Sequence, residues 1–303
     1  MLRIAFVGLP LAALLLRHDG HEIVYAGICR RSAIGTRRLA RRLGGERVRI
    51  VPDLARDAER IRQSKPDLFV SWFWTKNVPA DVRAIAPLGT IGVHPSLLPR
   101  HRGPDPYYWA IAMGDTQTGV TAHALADEYD TGDIFGSRKV AIDPSWNAWT
   151  LAKKLDRPSL ALLRETVARF ASDSPPTPQP QDLGGVTSAP APSDNDLEIV
   201  WAQTSEEIDR RVRAAAPWPG AFTSLLDRPL VLLSVRPTGD FPRALVAGEA
   251  AVRNDGRTVI RTGNGAVEVQ KARWDDADDP EKELSNQELA QIVREATTLD
   301  ALS

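Results

Sequence analysis

The sequence predicts an α/β protein, with a first domain built on a parallel β-sheet and a second, smaller domain of short strands. Three observations support this prediction. Strand-like and helix-like runs alternate through the first half, a proline-rich stretch follows, and short strand-like runs punctuated by Gly, Asn and Asp come after it. The length of 303 residues also suits two domains better than one.

In the first half, the predicted strands are short and largely apolar runs. They are residues 2–7, 21–28, 47–51, 67–72 and 89–94. Helices are predicted between them, for example at 37–43 and 54–63. Because strands that alternate with helices form parallel sheets, and ligands of such sheets bind at the carboxyl ends of the strands, we expect a site at that edge.

A change of character between residues 172 and 194 predicts a boundary. Six prolines crowd a stretch with few large apolar residues, which is typical of a stiff, extended linker. We therefore predict a first domain at 1–172, a linker at 173–194 and a small barrel or sandwich at 195–303. The elements predicted in this last domain are helices at 205–215 and 286–296 and strands at 230–235, 244–252, 258–261 and 266–271.

Composition and motifs exclude several classes of function. Thirty-eight basic residues balance thirty-nine acidic ones, so no whole-molecule field favours a polyanion or a membrane. The single cysteine, Cys29, rules out an intrachain disulfide and a multi-cysteine zinc site, and no other pattern predicts a metal. The first strand is followed by Gly8 alone, where a dinucleotide fingerprint needs three glycines, and no Walker motif is present. The apolar run 4–16 resembles a signal peptide but lacks a cleavage site, so we expect a cytoplasmic protein.

One short window is rich in arginine. On a helix, four of these arginines lie opposite Leu39, Ala40 and Leu43. These four are Arg37, Arg38, Arg41 and Arg42. The helix is therefore amphipathic, and its basic face is either merely solvated or contacts a phosphate-bearing substrate, because clustered guanidinium groups suit phosphate.

The segment most informative about chemistry is 89–106. A strand delivers His94 to its carboxyl end, and Pro and Gly residues then shape an irregular loop. A further predicted strand, 119–123, leads to the acidic segment 127–133, which includes Asp130. A histidine can hold or release a proton near neutrality, and a nearby carboxylate orients it, which suits acyl transfer to an amine. The alternative is a buried histidine that only satisfies backbone groups.

The motifs in this half resemble those of a known family. The sequence runs His94-Pro95-Ser96-Leu97-Leu98-Pro99, then Arg102-Gly103 and Pro106, then Gly119-Val120-Thr121 and Asp130-Thr131-Gly132. This order, with the aspartate 36 positions after the histidine, is similar to the signature of the folate-dependent formyltransferases. Residues 208–213 and the run Pro217-Trp218-Pro219-Gly220 are similar to the start of the C-terminal domain of methionyl-tRNA and sugar-nucleotide formyltransferases.

The resemblance implies a Rossmann-like N-terminal domain and a small open β-barrel C-terminal domain. It also implies that 10-formyltetrahydrofolate, the co-substrate, donates its formyl group to a primary amine of methionyl-tRNA or of an amino-sugar nucleotide. His94 and Asp130 match the family's catalytic histidine and aspartate. The implied folate contacts are Trp74, Val78, Gly92 and Tyr129, and the implied acceptor contacts are Ser96, Arg102 and His123.

One family position differs. The family pattern places an asparagine two residues before the histidine, and this chain has Gly92 there. The resemblance implies that this asparagine donates a hydrogen bond to the developing oxyanion, and loss of one such donor typically costs on the order of 10²–10³ in rate. Three hypotheses remain open: formyl transfer with the missing donor replaced by Asn77, Ser96, His123, a backbone N–H or a water; use of another donor, or hydrolysis of the donor; or a catalytically idle protein that binds an amine or tRNA.

Overall fold

The structure is a computed structural model that describes residues 1–275, 279 and 282–300. The chain forms two compact units. The first comprises residues 1–106, 117–141 and 153–190, and the second comprises residues 107–116 and 142–152 together with the chain from 191 onward.

A seven-stranded sheet forms the centre of the first unit. Its strands are β1 (Arg3–Gly8), β2 (Glu22–Ile28), β3 (Val48–Ile50), β4 (Leu68–Trp72), β5 (Thr90–His94), β6 (Gln117–His123) and β7 (Ile134–Ala141). The spatial order is β3-β2-β1-β4-β5-β6-β7. The first five strands pair in parallel, as predicted, whereas β6 and β7 extend the sheet in antiparallel fashion.

The central strands read as apolar runs because both of their faces are covered. The helices of this unit are α1 (Pro10–His18), α2 (Thr36–Leu43), α3 (Ala58–Gln63), α4 (Ala80–Arg83) and, from residue 153 on, α6 (Ala148–Phe170). Every residue of β4 is buried, as are residues 4–8 of β1. Gly8 has a φ of +134°, and a Cβ there would meet the Trp72 carbonyl at 1.7 Å, so only glycine lets β1 turn this close to the end of β4.

The second unit contains a five-stranded antiparallel sheet. Its strands, β8 (Ala221–Leu225), β9 (Arg228–Thr238), β10 (Ala250–Val252), β11 (Thr258–Arg261) and β12 (Ala266–Trp274), have the order β10-β11-β12-β9-β8. Its helices are α5 (Pro106–Ala112, from residue 107 on), α7 (Asp194–Leu197), α8 (Ser205–Ala215) and α9 (Asn286–Asp300). Helix α8 matches the predicted bounds because Thr204 and Glu207 form a capping box at its start.

Some elements differ from the prediction. The long helix α6 and the strand β8 were not predicted, and β10 covers only the end of the predicted strand at 244–252. The proline-rich stretch, predicted as a stiff, extended linker, makes backbone contacts within the first unit. Gln179 exchanges two backbone hydrogen bonds with Ile134, and residues up to 190 belong to the first unit.

Membrane-spanning helices and metal-binding clusters are both absent from the described residues. No described helix is long and apolar enough to cross a membrane. No group of three or more His, Cys, Asp or Glu side chains in the described part of the chain could hold a metal ion.

Candidate active site

The carboxyl end of β5 and the connection between β6 and β7 meet in the first unit. His94 is the last residue of β5, and the antiparallel register of β6 places His123 opposite Gly92. Asp130 lies in the connection with a φ of +59°, a left-handed conformation that is uncommon outside glycine. The strands and this turn together place two histidines around one carboxylate.

Asp130 lies between the two imidazoles. Its Oδ2 is 3.3 Å from Nδ1 of His94, and its Oδ1 is 3.6 Å from Nε2 of His123. The side chains of His94 and His123 are only 7% and 5% exposed, and that of Asp130 is 15% exposed. The predicted His94–Asp130 pair is therefore brought together, with His123 as a third member.

The remaining ring nitrogens face backbone carbonyls. Nε2 of His94 is 2.8 Å from the His101 carbonyl oxygen, and Nδ1 of His123 is 2.8 Å from the Ala124 carbonyl oxygen. His101 is buried and adopts a φ of +59° in the loop after β5, where its backbone N–H donates to Thr187. These bonds hold both rings in fixed orientations.

Burial lowers the pKa of both imidazoles, because the charged form loses hydration in the interior. The Asp130 carboxylate opposes this effect at both rings and favours protonation. The hydrogen bond to the His101 carbonyl also raises the pKa of His94, and repulsion from the His101 side chain lowers it by less. At His123, repulsion from His94 and Arg102 lowers the pKa, whereas the hydrogen bond to the Ala124 carbonyl raises it.

A second set of hydrogen bonds holds Asp130 itself. The Gly103 N–H donates to Oδ2 of Asp130 at 3.0 Å. The Gln181 amide donates to the carbonyl oxygens of Asp130 and Gly132, and its own oxygen accepts from the Arg102 guanidinium. The sequence prediction missed Gln181 because it lies in the proline-rich stretch, where no periodic pattern indicates a contact.

Gly92 lies beside this group. A Cβ at position 92 would lie 2.8 Å from Cδ2 of Leu125 and 3.5 Å from Nε2 of His123. The tip of Leu125 therefore fills the space into which a side chain at position 92 would extend. Leu125, another residue that the sequence prediction missed, packs with Trp74 against the apolar cluster that contains Val78.

The other predicted contacts are in different environments. Ser96 is fully buried, and its hydroxyl donates to the Arg100 carbonyl oxygen at 2.6 Å, so it shapes the loop. Val78 is buried in the core cluster, and Tyr129 is 56% exposed just before Asp130. The Trp74 indole N–H is buried without a hydrogen-bond partner among the described residues.

Arg83 joins the connection after β4 to the connection after β6. Its guanidinium donates to the carbonyl oxygens of Val78 and Leu125, at 3.0 and 3.2 Å, and pairs with the Asp127 carboxylate. Asn77 adds a bond to the Asp127 carbonyl oxygen. Trp74 and Leu125 thus belong to two segments that are tied together.

The arginine-rich helix is α2, and its polarity is as predicted. Leu39 is fully buried, whereas the side chains of the four arginines are exposed and make no ion pair or hydrogen bond with another described residue. A groove of about 440 Å³ runs beside the ends of α1 and α2 and the start of β2, and Arg17, His21, Arg42 and Arg47 are among the residues that line it. This groove lies at the amino end of β2, away from the carboxyl ends that carry His94.

Comparison with known proteins assigns the chain to a family. The model of the "Formyl transferase" domain matches residues 52–167, and that of the "Formyl transferase, C-terminal domain" matches residues 193–282. A methionyl-tRNA formyltransferase of Solibacter usitatus is 35% identical over 220 residues, 70% of each chain. The chain belongs to the formyltransferase family. Another relative, the methionyl-tRNA formyltransferase of Anaeromyxobacter dehalogenans, is 33% identical over 281 residues, 88% of this formyltransferase and 90% of the relative.

Solved structures support the fold. The N-formyltransferase from Helicobacter canadensis, in complex with folinic acid and dTDP-3-aminofucose, superposes with a TM-score of 0.67 at 16% identity, over 89% of this chain and 99% of that one. HypX from Aquifex aeolicus, in complex with tetrahydrofolic acid, gives a TM-score of 0.65 at 21% identity over 96% of this formyltransferase. The match covers 47% of HypX, so this chain spans about half of that protein.

These comparisons confirm the predicted family and fold class. They also confirm that this formyltransferase transfers a formyl group to an amine, and they do not favour the idle-protein alternative. Methionyl-tRNA and a sugar nucleotide both stay candidates for the acceptor. The roles of the individual site residues and the domain bounds stay predictions.

Proposed function

We propose that this formyltransferase formylates the amine of methionyl-tRNA, with His94 and Asp130 as its catalytic pair. The observation that supports the catalytic proposal is the buried contact between these two residues at the carboxyl end of β5, the edge where ligands of parallel sheets bind. A folate donor and an amine would meet there.

In the reaction, the amine nitrogen attacks the formyl carbon and gives a tetrahedral intermediate with a negatively charged oxygen. Collapse then breaks the bond between the carbon and N10 of the folate. Overall, the amine loses one proton and N10 gains one. His94 stabilises the tetrahedral intermediate and transfers protons near it. Asp130 orients the imidazole and stabilises its charged form. Gly103 and Gln181 keep Asp130 in place.

The environment of Gly92 favours His123 as the replacement for the missing side-chain donor. Nε2 of His123 points toward the face of Gly92, as the 3.5 Å distance from a Cβ placed there indicates. Ser96 is less suited, because its hydroxyl already donates to Arg100. Asn77 is exposed, and its amide donates to Asp127.

The connection after β4 has features that fit a folate. The Trp74 indole N–H is a buried donor in need of an acceptor, which the heteroatoms of a pterin offer. Tyr129 presents an exposed ring in the connection that leads to Asp130, and aromatic rings suit a flat ligand. In this proposal Trp74 and Tyr129 contact the donor, whereas Val78 supports the loop from the core.

The arginines of α2 favour tRNA as the acceptor. Four exposed guanidinium groups without partners among the described residues match a phosphate backbone better than the two phosphates of a sugar nucleotide. The relatives from Solibacter usitatus and Anaeromyxobacter dehalogenans also bear the name methionyl-tRNA formyltransferase. A cytoplasmic site of action is part of the proposal, since a lone cysteine suits a reducing compartment.

The test is an assay with 10-formyltetrahydrofolate and two acceptors, methionyl-tRNA and a dTDP-linked amino sugar, at several salt concentrations. We expect turnover of the tRNA, with a KM that rises steeply with salt, and little turnover of the sugar. Faster turnover of the sugar would overturn the choice of acceptor. Full activity of Asp130→Asn on either acceptor would overturn the proposed catalytic pair.

A further inference from the structure

The contacts of the two histidines determine which ring nitrogens carry hydrogen. A carbonyl oxygen can only accept a hydrogen bond, so the nitrogen that faces it must be an N–H. Nε2 of His94, which faces the His101 carbonyl, and Nδ1 of His123, which faces the Ala124 carbonyl, are therefore both donors. The nitrogens that face Asp130 are the second nitrogen of each ring.

The number of protons on these second nitrogens and on Asp130 determines whether the three groups attract or repel each other. A neutral imidazole with one N–H has only a lone pair on its other nitrogen, and an ionised carboxylate has no hydrogen to donate. If both rings were neutral and Asp130 ionised, two lone pairs would face two negatively charged oxygens at 3.3 and 3.6 Å. The two rings are buried and the Asp130 side chain is only 15% exposed, so little water screens that repulsion.

We infer that His94, Asp130 and His123 hold one shared proton between them, and that His123 is a second proton-transfer group of the site. One proton converts one of the two contacts into a hydrogen bond and leaves the other ring nitrogen as a vacant acceptor. With the proton on Nε2 of His123, this ring is the donor proposed above, and Nδ1 of His94 is the vacant acceptor. The inference rests on the proposed function for the reaction it serves, but the proton itself is a property of the free protein.

The charges around the group favour one proton over two. Asp130 is the only carboxylate within salt-bridge distance of either ring among the described residues. Repulsion from the His101 side chain at His94, and from Arg102 at His123, opposes further positive charge, whereas the hydrogen bonds to the His101 and Ala124 carbonyl oxygens act the other way. Burial acts in the same direction, because a second proton would leave a net cation in the interior.

A site with one proton and one vacancy matches the proton balance of formyl transfer. As the bond between the amine nitrogen and the formyl carbon forms, the N–H proton of the amine moves to the vacant ring nitrogen. As the bond between the carbon and N10 breaks, the resident proton moves from the other ring to N10, which keeps the electron pair. Asp130 contacts both rings throughout, and the site again holds one proton after each turnover.

The first test needs no activity. The protein has five histidines, and labelling them with ¹⁵N allows long-range ¹H–¹⁵N spectra to report the protonation of each ring nitrogen. His94→Gln and His123→Gln assign the signals, and ¹³C labelling of Asp reports the Asp130 carboxyl. At pH 7 we expect one proton shared among the two nitrogens that face Asp130 and this carboxyl. Two bare nitrogens with an ionised carboxyl would overturn the inference, even if the protein proved to be a formyltransferase.

The second test asks whether the proton serves the reaction. His123→Gln retains an amide donor near Nε2 but cannot relay a proton, so we expect kcat to fall about 10²-fold with little change in KM for folate. The pH dependence of kcat should also flatten. The control His18→Gln removes an exposed imidazole and should leave both quantities as in the native protein. A native kcat and pH profile in His123→Gln, with native thermal stability, would show that His123 only fills space.

Discussion

Leu125 occupies the space that a side chain at position 92 would need. A Cβ on Gly92 would lie 2.8 Å from Cδ2 of Leu125, closer than such carbon atoms approach in folded proteins. The obstacle is the end of a flexible side chain, so it can move. Gly92 and Leu125 therefore form a matched pair, in which the absence of one side chain is compensated by the position of the other.

This pairing predicts the outcome of restoring an asparagine. Gly92→Asn alone should cost about 1–3 kcal/mol of stability, because Leu125 must repack. In Gly92→Asn with Leu125→Ala the amide fits, and we expect kcat no higher than in Leu125→Ala alone, since His123 already supplies a donor. Thermal melts and steady-state kinetics of the three variants measure both effects. A gain of about tenfold or more in kcat would show that the native site lacks an oxyanion donor.

The Asp130 carboxylate predicts a separate effect. Asp130→Asn keeps the shape of the side chain but removes the charge between the two imidazoles, and we expect kcat to fall at least about 10²-fold. Asp133→Asn, three residues away in an exposed position, should leave kcat unchanged. Circular dichroism of both variants checks the fold. Equal activity of the two variants would contradict a role for the Asp130 charge.

The sequence predicted the catalytic pair better than its surroundings, for a physical reason. His94 ends the parallel strand β5, where chain direction indicates a site, whereas Asp130 follows the antiparallel strand β6 and was paired with His94 through the family motif. The contacts of Gln181 and Arg83 depend on their long side chains and on the paths of the loops. No periodic pattern in the sequence indicates such contacts. The joining of β6 to β5 in antiparallel fashion, which brings His123 to Gly92, was likewise not predictable from the strand pattern.

The same limit explains the missed elements. Pro158 within α6 and the polar residues on one face of that helix obscure its pattern, yet packing stabilises 23 helical residues. Strand β8 lies after a Pro-Trp-Pro-Gly run that reads as a turn, and its pairing with β9 supplies the stability that its own residues do not. In both cases, contacts distant in sequence decide the local structure.

His21 predicts a pH dependence of stability outside the active site. Burial, and then the positive amino terminus, lower the pKa of this imidazole, and its Nδ1 accepts a hydrogen bond from the Leu2 N–H. The folded state therefore binds fewer protons than the unfolded state. The contribution of neutral His21 to the free energy of unfolding is fully present above the unfolded histidine pKa of about 6.5. It is lost progressively as the pH drops below that value.

A pair of variants isolates this effect from the other histidines. His21→Asn retains an acceptor near Nδ1 but cannot be protonated, so urea unfolding between pH 7 and pH 5 should show a smaller loss of stability than in the native protein. His21→Gln also removes the titration but places its oxygen elsewhere, and it should be less stable than His21→Asn at pH 8. An unchanged loss between pH 7 and pH 5 in His21→Asn would contradict the prediction.

The contacts of Arg83 predict that its removal lowers the free energy of unfolding and loosens the loops beside the site. Arg83→Ala leaves the Val78 and Leu125 carbonyls without their donor, which typically costs about 1–3 kcal/mol. We also expect weaker folate binding, because Trp74 and Leu125 lie on the two connections that Arg83 joins. Arg62→Ala removes an exposed pair with Glu59 and should change stability by less than about 1 kcal/mol. Urea unfolding and folate titration compare the two variants, and equal losses would contradict the role given to Arg83.

The arginines of α2 predict the salt dependence of acceptor binding. Removing one phosphate contact reduces the slope of log K against log salt by about 1. Replacing both Arg38 and Arg42 with Gln should therefore lower the slope for methionyl-tRNA by about 2. Arg56→Gln with Arg62→Gln removes the same charge from exposed positions that pair with neighbouring carboxylates, and should leave the slope near its native value. Equal changes in the two double variants would show that net charge, not the α2 face, attracts the tRNA. Binding measured by filter retention at several salt concentrations distinguishes the two outcomes, and it does so independently of catalysis because it needs no folate.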